Sequence, residues 1–154
     1  MHVPQYLADQ HIVFETIVHP PAYSAQQLAK RLHVSGRHVV KAVLLSGPSG
    51  FFIAVLPATH QIDTDSLTTV FGGTVRLASD LEIAGVFPDC EWGVVPPFGV
   101  LYGLPTVMEA ALDPDSMLIF EGNTHFEAIR MRCRDFERLE KPRRLRFAVS
   151  HHIA

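Results

Sequence analysis

Val39-Val40-Lys41-Ala42-Val43-Leu44-Leu45-Ser46-Gly47-Pro48-Ser49-Gly50-Phe51-Phe52-Ile53-Ala54-Val55-Leu56 is the stretch that decides the fold. Two runs rich in β-branched and aromatic residues flank Gly47-Pro48-Ser49-Gly50, a cluster of strong turn formers. The pattern predicts a hairpin with a four-residue loop. Upstream, Ile12 to Val18 reads as a strand stopped by His19-Pro20-Pro21. Residues 3–10 form a short opening helix, and Ser24 caps a second over Ala25 to Leu32, with Leu28, Ala29 and Leu32 on one face. Downstream, Asp63 to Phe71 is a helix ending at Gly72-Gly73, and Thr74 to Leu77 a short strand. Ser79-Asp80-Leu81-Glu82 is a capping box opening a helix to about Val86. Thr106 to Ala111 and Met117 to Phe120 are strands around the turn Asp113-Pro114-Asp115-Ser116. After Gly122 two readings stand. Phe126, Ile129, Cys133 and Phe136 have helical spacing, but Ala128 to Arg132 also fits a strand leading to a helix from Asp135. Hairpins and short helices interleaved irregularly predict an α+β fold with a mixed, curved sheet flanked by short helices. The expectation is one domain over residues 1–154, with its core at about 12–140 and a basic C-terminal tail at 141–154.

The length of 154 residues supports a substantial core, and 47% apolar with 19% charged residues is the composition of a folded domain. No apolar run approaches the ~20 residues of a membrane span, and the N-terminus lacks the pattern of a signal peptide, so a cytoplasmic location is expected. Cys90 and Cys133 fit no metal or redox spacing and read as reduced thiols. The net charge of −3 argues against a general nucleic-acid coat. Charge is uneven, however: eight basic and three acidic residues lie between Arg130 and Arg146, against ten acids and one base from Asp63 to Glu121. The basic run is either a solvated tail or a phosphate-binding edge. The final His151-His152-Ile153-Ala154 is expected to lack order.

Four features carry candidate chemistry. Gly93-Val94-Val95-Pro96-Pro97-Phe98-Gly99-Val100-Leu101-Tyr102-Gly103 packs three glycines and two prolines into an otherwise apolar loop. Surface loops are ordinarily polar, so this one is either a tight turn over the core or a rigid cavity wall that offers backbone groups to a ligand. Lys41 interrupts an apolar strand, and is either an outward-facing residue or an ammonium at a pocket rim. Gly122-Asn123-Thr124-His125 follows a strand and presents a histidine at its end. Ser24 to Ser35 also looks like the opening of a DNA-binding helix-turn-helix, which would need a recognition helix over Gly36 to Leu45 and contacts from Arg37 and His38. That segment lacks a polar face. No metal-ligand spacing, nucleophile elbow, phosphate loop or dinucleotide fingerprint occurs, so no metal or cofactor is expected.

Taken in order, these features resemble the YbaK-like aminoacyl-tRNA deacylase family, which is related to the editing insertion domain of bacterial prolyl-tRNA synthetases. The likeness runs from roughly Phe14 to Leu139. It rests on the helix Ser24–Leu32 followed by Val40-Lys41, on the strand Phe51–Leu56, and on Gly93 to Gly99 with Tyr102-Gly103-Leu104-Pro105. It is completed by Gly122-Asn123-Thr124-His125 with Ala128-Ile129-Arg130-Met131. The resemblance implies a curved, barrel-like sheet and favours a strand at Ala128–Arg132. It implies hydrolysis of the ester joining a wrong amino acid to a tRNA 3′ end, with the terminal ribose hydroxyl assisting. Lys41 matches the family lysine near the terminal adenosine, and Gly93 to Pro97 the loop around the aminoacyl group. Gly122 and His125 match the Gly-x-x-His motif.

The expected site therefore comprises Lys41, Gly122 and His125 in catalysis. Gly93, Val94, Val95, Pro96, Pro97, Phe98, Gly99, Asn123 and Thr124 are expected around the substrate, and Arg130, Arg143, Arg144 and Arg146 on tRNA phosphates. The expected partner is the 3′ end of a mischarged tRNA carrying a small amino acid such as alanine, serine or cysteine, with transient association to a synthetase. The competing class is a binding module that holds an aminoacyl group or nucleotide without turnover.

Overall fold

The structure is a computed structural model that describes residues 2–150. The expected hairpin is its spine, formed by β2 (Val40–Gly47) and β3 (Gly50–Pro57). Pairing runs from Val40↔Pro57 to Gly47↔Gly50, so the loop is only Pro48-Ser49. The four-residue loop expected from sequence is thus two residues long, because both glycines belong to the last rung. β5 (Arg76–Leu77), β6 (Thr106–Glu109) and β9 (Arg143–Leu145) complete a five-stranded sheet in the order β5-β2-β3-β6-β9. β3, β6 and β9 are parallel neighbours, and the other pairs are antiparallel, so the sheet is mixed.

A second sheet joins β1 (Phe14–Val18), β8 (Glu127–Arg132) and β7 (Met117–Glu121) in the order β1-β8-β7, all antiparallel. A short pair, β4 (His60–Ile62) with β10 (Ala148–Ser150), lies apart. The two larger sheets meet at one parallel bridge, Val39↔Ile119. The α+β architecture with a mixed sheet is as expected, and the sheets stay open rather than closing into a barrel.

Five short helices pack on these sheets: α1 (Val3–Asp9), α2 (Ala25–Leu32), α3 (Thr64–Phe71), α4 (Asp80–Val86) and α5 (Cys133–Glu140). Their ends are set locally. Ser24 accepts from Gln27 N at 3.1 Å, and Ser79 and Glu82 form a reciprocal capping box. The segment after Gly122 resolves as strand then helix. The recognition helix required for DNA binding does not form: Gly36–His38 is a single 3-10 turn, and β2 follows at once.

The main core holds an aromatic cluster. Phe98 is fully buried and makes edge contacts with Tyr6, Phe120 and Phe136 at centroid distances of 5.4–5.7 Å. The basic segment from residue 141 is not a tail through 150, since β9 and β10 both lie in it. The buried Glu109 carboxylate pins that return by accepting from Phe147 N and Ala148 N at 3.1 Å each, and from Ala111 N at 2.8 Å. The final four residues, expected to lack order, lie outside the described residues. Among the described residues, no helix is long and apolar enough to cross a membrane, and no cluster of three or more metal-ligating side chains occurs.

Candidate active site

Beyond the Val39↔Ile119 bridge, β2 and β7 diverge, and a cavity of about 220 Å³ fills the wedge. Lys41, Ala42 and Val43 line it from β2, Phe120 and Glu121 from β7, and Gly93, Val95 and Pro97 from the apolar loop. Tyr23, Ser24, Ala25 and Leu28 close it at the start of α2. The β2 edge here is main chain without a strand beside it. Leu44 O accepts from Ala78 N, and Val39 O from Ala58 N, so alternate residues of β2 face opposite edges. By that alternation Ala42 directs its N–H and C=O away from β3 and toward the wedge.

Lys41 is half-buried, and burial pushes its ammonium below the ordinary lysine range. Among the described residues no ion pair or hydrogen bond to its side chain is present, although Glu121 lines the same cavity. A desolvated, unpartnered cation costs stability, which is the mark of a group kept for a ligand.

His125 sits behind the cavity and ties the loop to β7. Its Nε2 lies 2.7 Å from the Trp92 carbonyl, a pure acceptor, so Nε2 carries a proton. Its Nδ1 faces Glu121 Oε1 at 3.5 Å, and its backbone N donates to Glu91 Oε1 at 2.8 Å. Burial alone would lower the imidazolium, but the Trp92 carbonyl and the Glu121 and Glu91 carboxylates outweigh it and raise its pKa. Burial raises Glu121, with His125 opposing. Tyr23 covers the imidazole, ring centroids 4.9 Å apart. With both nitrogens turned to acceptors, His125 is a latch on the Trp92–Gly93 corner rather than a base open to water. Gly93 needs its glycine for conformation, since its φ is +85°.

The latch has a pH signature. Raised pKa values in the folded state mean that it binds more protons than the unfolded chain, so stability falls as pH rises through them. The His125 contribution is complete below the ordinary histidine value of about 6.5 and is lost as pH passes the raised folded value. The fall of Tm between pH 6 and 8 should flatten in His125→Gln. A parallel curve for the variant would exclude the protonated latch.

Residues 19–139 match the aminoacyl-tRNA editing domain. The chain belongs to that family. The editing domain shares its fold with a crystal structure of a hypothetical protein, at TM-score 0.86 and 17% identity over 96% of this chain and 99% of that one. A crystal structure of a candidate trans-editing enzyme for prolyl tRNA synthetase aligns at TM-score 0.76 and 19% identity, covering 96% of this chain and 95% of that one. A candidate signal transduction protein from Marinobacter aquaeolei aligns at TM-score 0.74 and 23% identity, over 96% of this chain but 30% of that longer one. Among curated proteins no sequence match is found.

Within the editing domain the expected site residues separate. Lys41, Gly93, Val95 and Pro97 meet at the cavity, with His125 behind it. Val94 and Pro96 alternate away from it and are buried. Phe98 is a core residue, and Gly99 serves a close packing: a methyl there would sit 2.4 Å from the Leu104 carbonyl oxygen. Neither lines the cavity, because the chain turns into the core after Pro97. Asn123 is a buried staple, with Oδ1 accepting from Val3 N at 2.9 Å and Nδ2 reaching Cys90 Sγ at 3.5 Å. Gly122 donates its N–H to Glu127 O at 3.1 Å, holding the turn on β8, and Thr124 Oγ1 is buried beside it.

Of the basic residues, Arg144 is committed inside the fold. It bonds to Glu137 and to the Ala110 and Leu112 carbonyls at 3.0 and 2.7 Å, and is corrected from a phosphate ligand to a structural residue. Arg130 pairs with Glu15 at 2.7 Å, while Arg143 and Arg146 are exposed. Sequence reading missed Glu121. Its signal was an acid closing the apolar strand Met117–Phe120, four residues before His125.

Proposed function

We propose that this editing domain hydrolyses the ester of a mischarged aminoacyl-tRNA, acting in trans on a small amino acid such as alanine, serine or cysteine. The observation that carries the reading is the unpartnered Lys41 in a small, largely apolar cavity walled by the Gly93–Pro97 loop. An aminoacyl ester is already activated, so positioning and oxyanion stabilisation are enough. Lys41 holds the phosphate or ribose of the terminal adenosine. Main-chain groups of Ala42, Gly93 and Val95 face the ester carbonyl, and His125 keeps the loop in place. Water adds to the carbonyl carbon, the bond to the ribose oxygen breaks, and that oxygen takes the proton. Free amino acid and uncharged tRNA leave. The neighbouring ribose hydroxyl supplies the proton relay. The scheme uses no metal or cofactor. Selection is steric at ~1–3 kcal/mol per methylene, so the tRNA body and a transient synthetase complex add the rest.

The binding-module reading is favoured by the same engaged His125, and it predicts capture without release. A panel of alanine, serine and cysteine on tRNA for proline separates the two. Many amino acids released per protein molecule on one member establishes the enzyme. Saturable binding with no release on every member establishes the module.

Arg143 and Arg146 are the exposed cations proposed to meet tRNA phosphates. Replacing both with alanine should flatten the slope of log affinity against log salt by about one to two units. An unchanged slope would remove this edge from the tRNA footprint.

A further inference from the structure

Lys41 and Glu121 share a cavity of about 220 Å³ yet form no ion pair with each other among the described residues. They stand on β2 and β7, which among the described residues are joined only at the Val39↔Ile119 bridge, so the cavity is lined by a positive group from one strand and a negative group from the other. Opposite charges held apart in one small cavity fit a ligand that is itself dipolar. Glu121 is largely buried, with 19% of its side chain exposed, and its Oε1 is sealed toward His125 without a hydrogen bond. Burial of this kind disfavours a carboxylate unless a cation reaches it; His125 faces Oε1, and among the described residues no cation is paired with Oε2. The His125 ring holds the carboxylate in place from behind, at 3.5 Å. Val95, Pro97 and Phe120 give the same cavity apolar surface.

Resting on the deacylase reading, we propose that Glu121 receives the α-ammonium group of the aminoacyl ester while Lys41 receives the phosphate end of the terminal nucleotide. The side chain of the amino acid then lies against Val95, Pro97 and Phe120. The free amine becomes a recognition element, and acyl groups of the same shape without that charge are poor substrates.

The test compares the amino acid that the panel selects with its α-hydroxy counterpart, for alanine alanyl-tRNA against lactyl-tRNA. The two acyl groups are nearly isosteric and differ in the charge. They are run on the wild type and on Glu121→Gln, which keeps the shape of the side chain, with melting curves to confirm folding. The wild-type preference for the amine, in kcat/KM, should shrink by roughly ten- to hundred-fold in the variant. Nearly all of that change should come from slower handling of the aminoacyl substrate. Equal losses on both substrates would make Glu121 a support for His125 only and overturn the inference, as would no loss on either. If Glu121→Gln fails to fold, the ratio is read in Glu121→Asp, whose carboxylate is one methylene shorter; the preference should shrink there too, and an undiminished preference overturns the proposal. Wild-type protein that releases neither acyl group overturns the deacylase reading itself, and this inference with it.

Discussion

Lys41→Ala should lower amino-acid release by roughly 10²–10³-fold and leave the Tm unchanged or slightly raised. The two halves have one cause. Lys41 is half-buried at the cavity with no partner, and burial already depresses its ammonium. Its removal therefore breaks no native ion pair or hydrogen bond and relieves a desolvation cost. Its contribution is made only when substrate supplies the negative charge, and one electrostatic donor of this kind is commonly worth that factor. Lys41→Arg should keep the charge and recover part of the activity. Because the cation is the working form, activity should fall as pH rises through a lysine value lying below the ordinary one near 10.4. Wild-type rates in Lys41→Ala would remove the residue from the site.

Phe98→Ala carries the largest expected loss of stability, about 3–5 kcal/mol. The side chain is fully buried and has three aromatic neighbours, Tyr6, Phe120 and Phe136. Truncation leaves a cavity among rings anchored on α1, β7 and α5, which cannot collapse together without moving the sheet. In a domain of ordinary stability, about 5–15 kcal/mol, such a loss should lower the Tm by roughly 10 °C. It separates two readings of the loop. A substrate-contacting Phe98 would change turnover with the melt intact, whereas a core Phe98 changes the melt first.

What sequence revealed was local. Ser24, Ser79 with Glu82, and Asp63 cap helices through bonds spanning two or three residues, so their positions follow from neighbours in the chain. The β2–β3 hairpin follows for the same reason. β9 and β10 are three residues each and carry no periodic signal in their basic setting. They form because β6 and β4 lie alongside and because the distant Glu109 carboxylate takes the N–H groups of Phe147, between the two strands, and of Ala148, at the start of β10. The Gly93 loop was legible as a rigid wall, but not which residues face the cavity. That choice is made by the packing of Phe98 on three distant rings and by Glu140, whose Oε1 accepts from Val100 N at 3.0 Å. Lys41 was visible as a charge in an apolar strand. Glu121 was not, because its meaning depends on the wedge that β2 and β7 create. His125 was visible as a candidate, and its role changes once both ring nitrogens are seen to face acceptors.

The most direct test of the central claim is the initial rate of amino-acid release from alanyl-, seryl- and cysteinyl-tRNA for proline, with wild-type protein beside Lys41→Ala. The account predicts multiple turnovers on at least one of the three by the wild type, reduced by two orders of magnitude or more in a variant that melts normally. Release at equal rates by both proteins, or release by neither while both are folded, would contradict it.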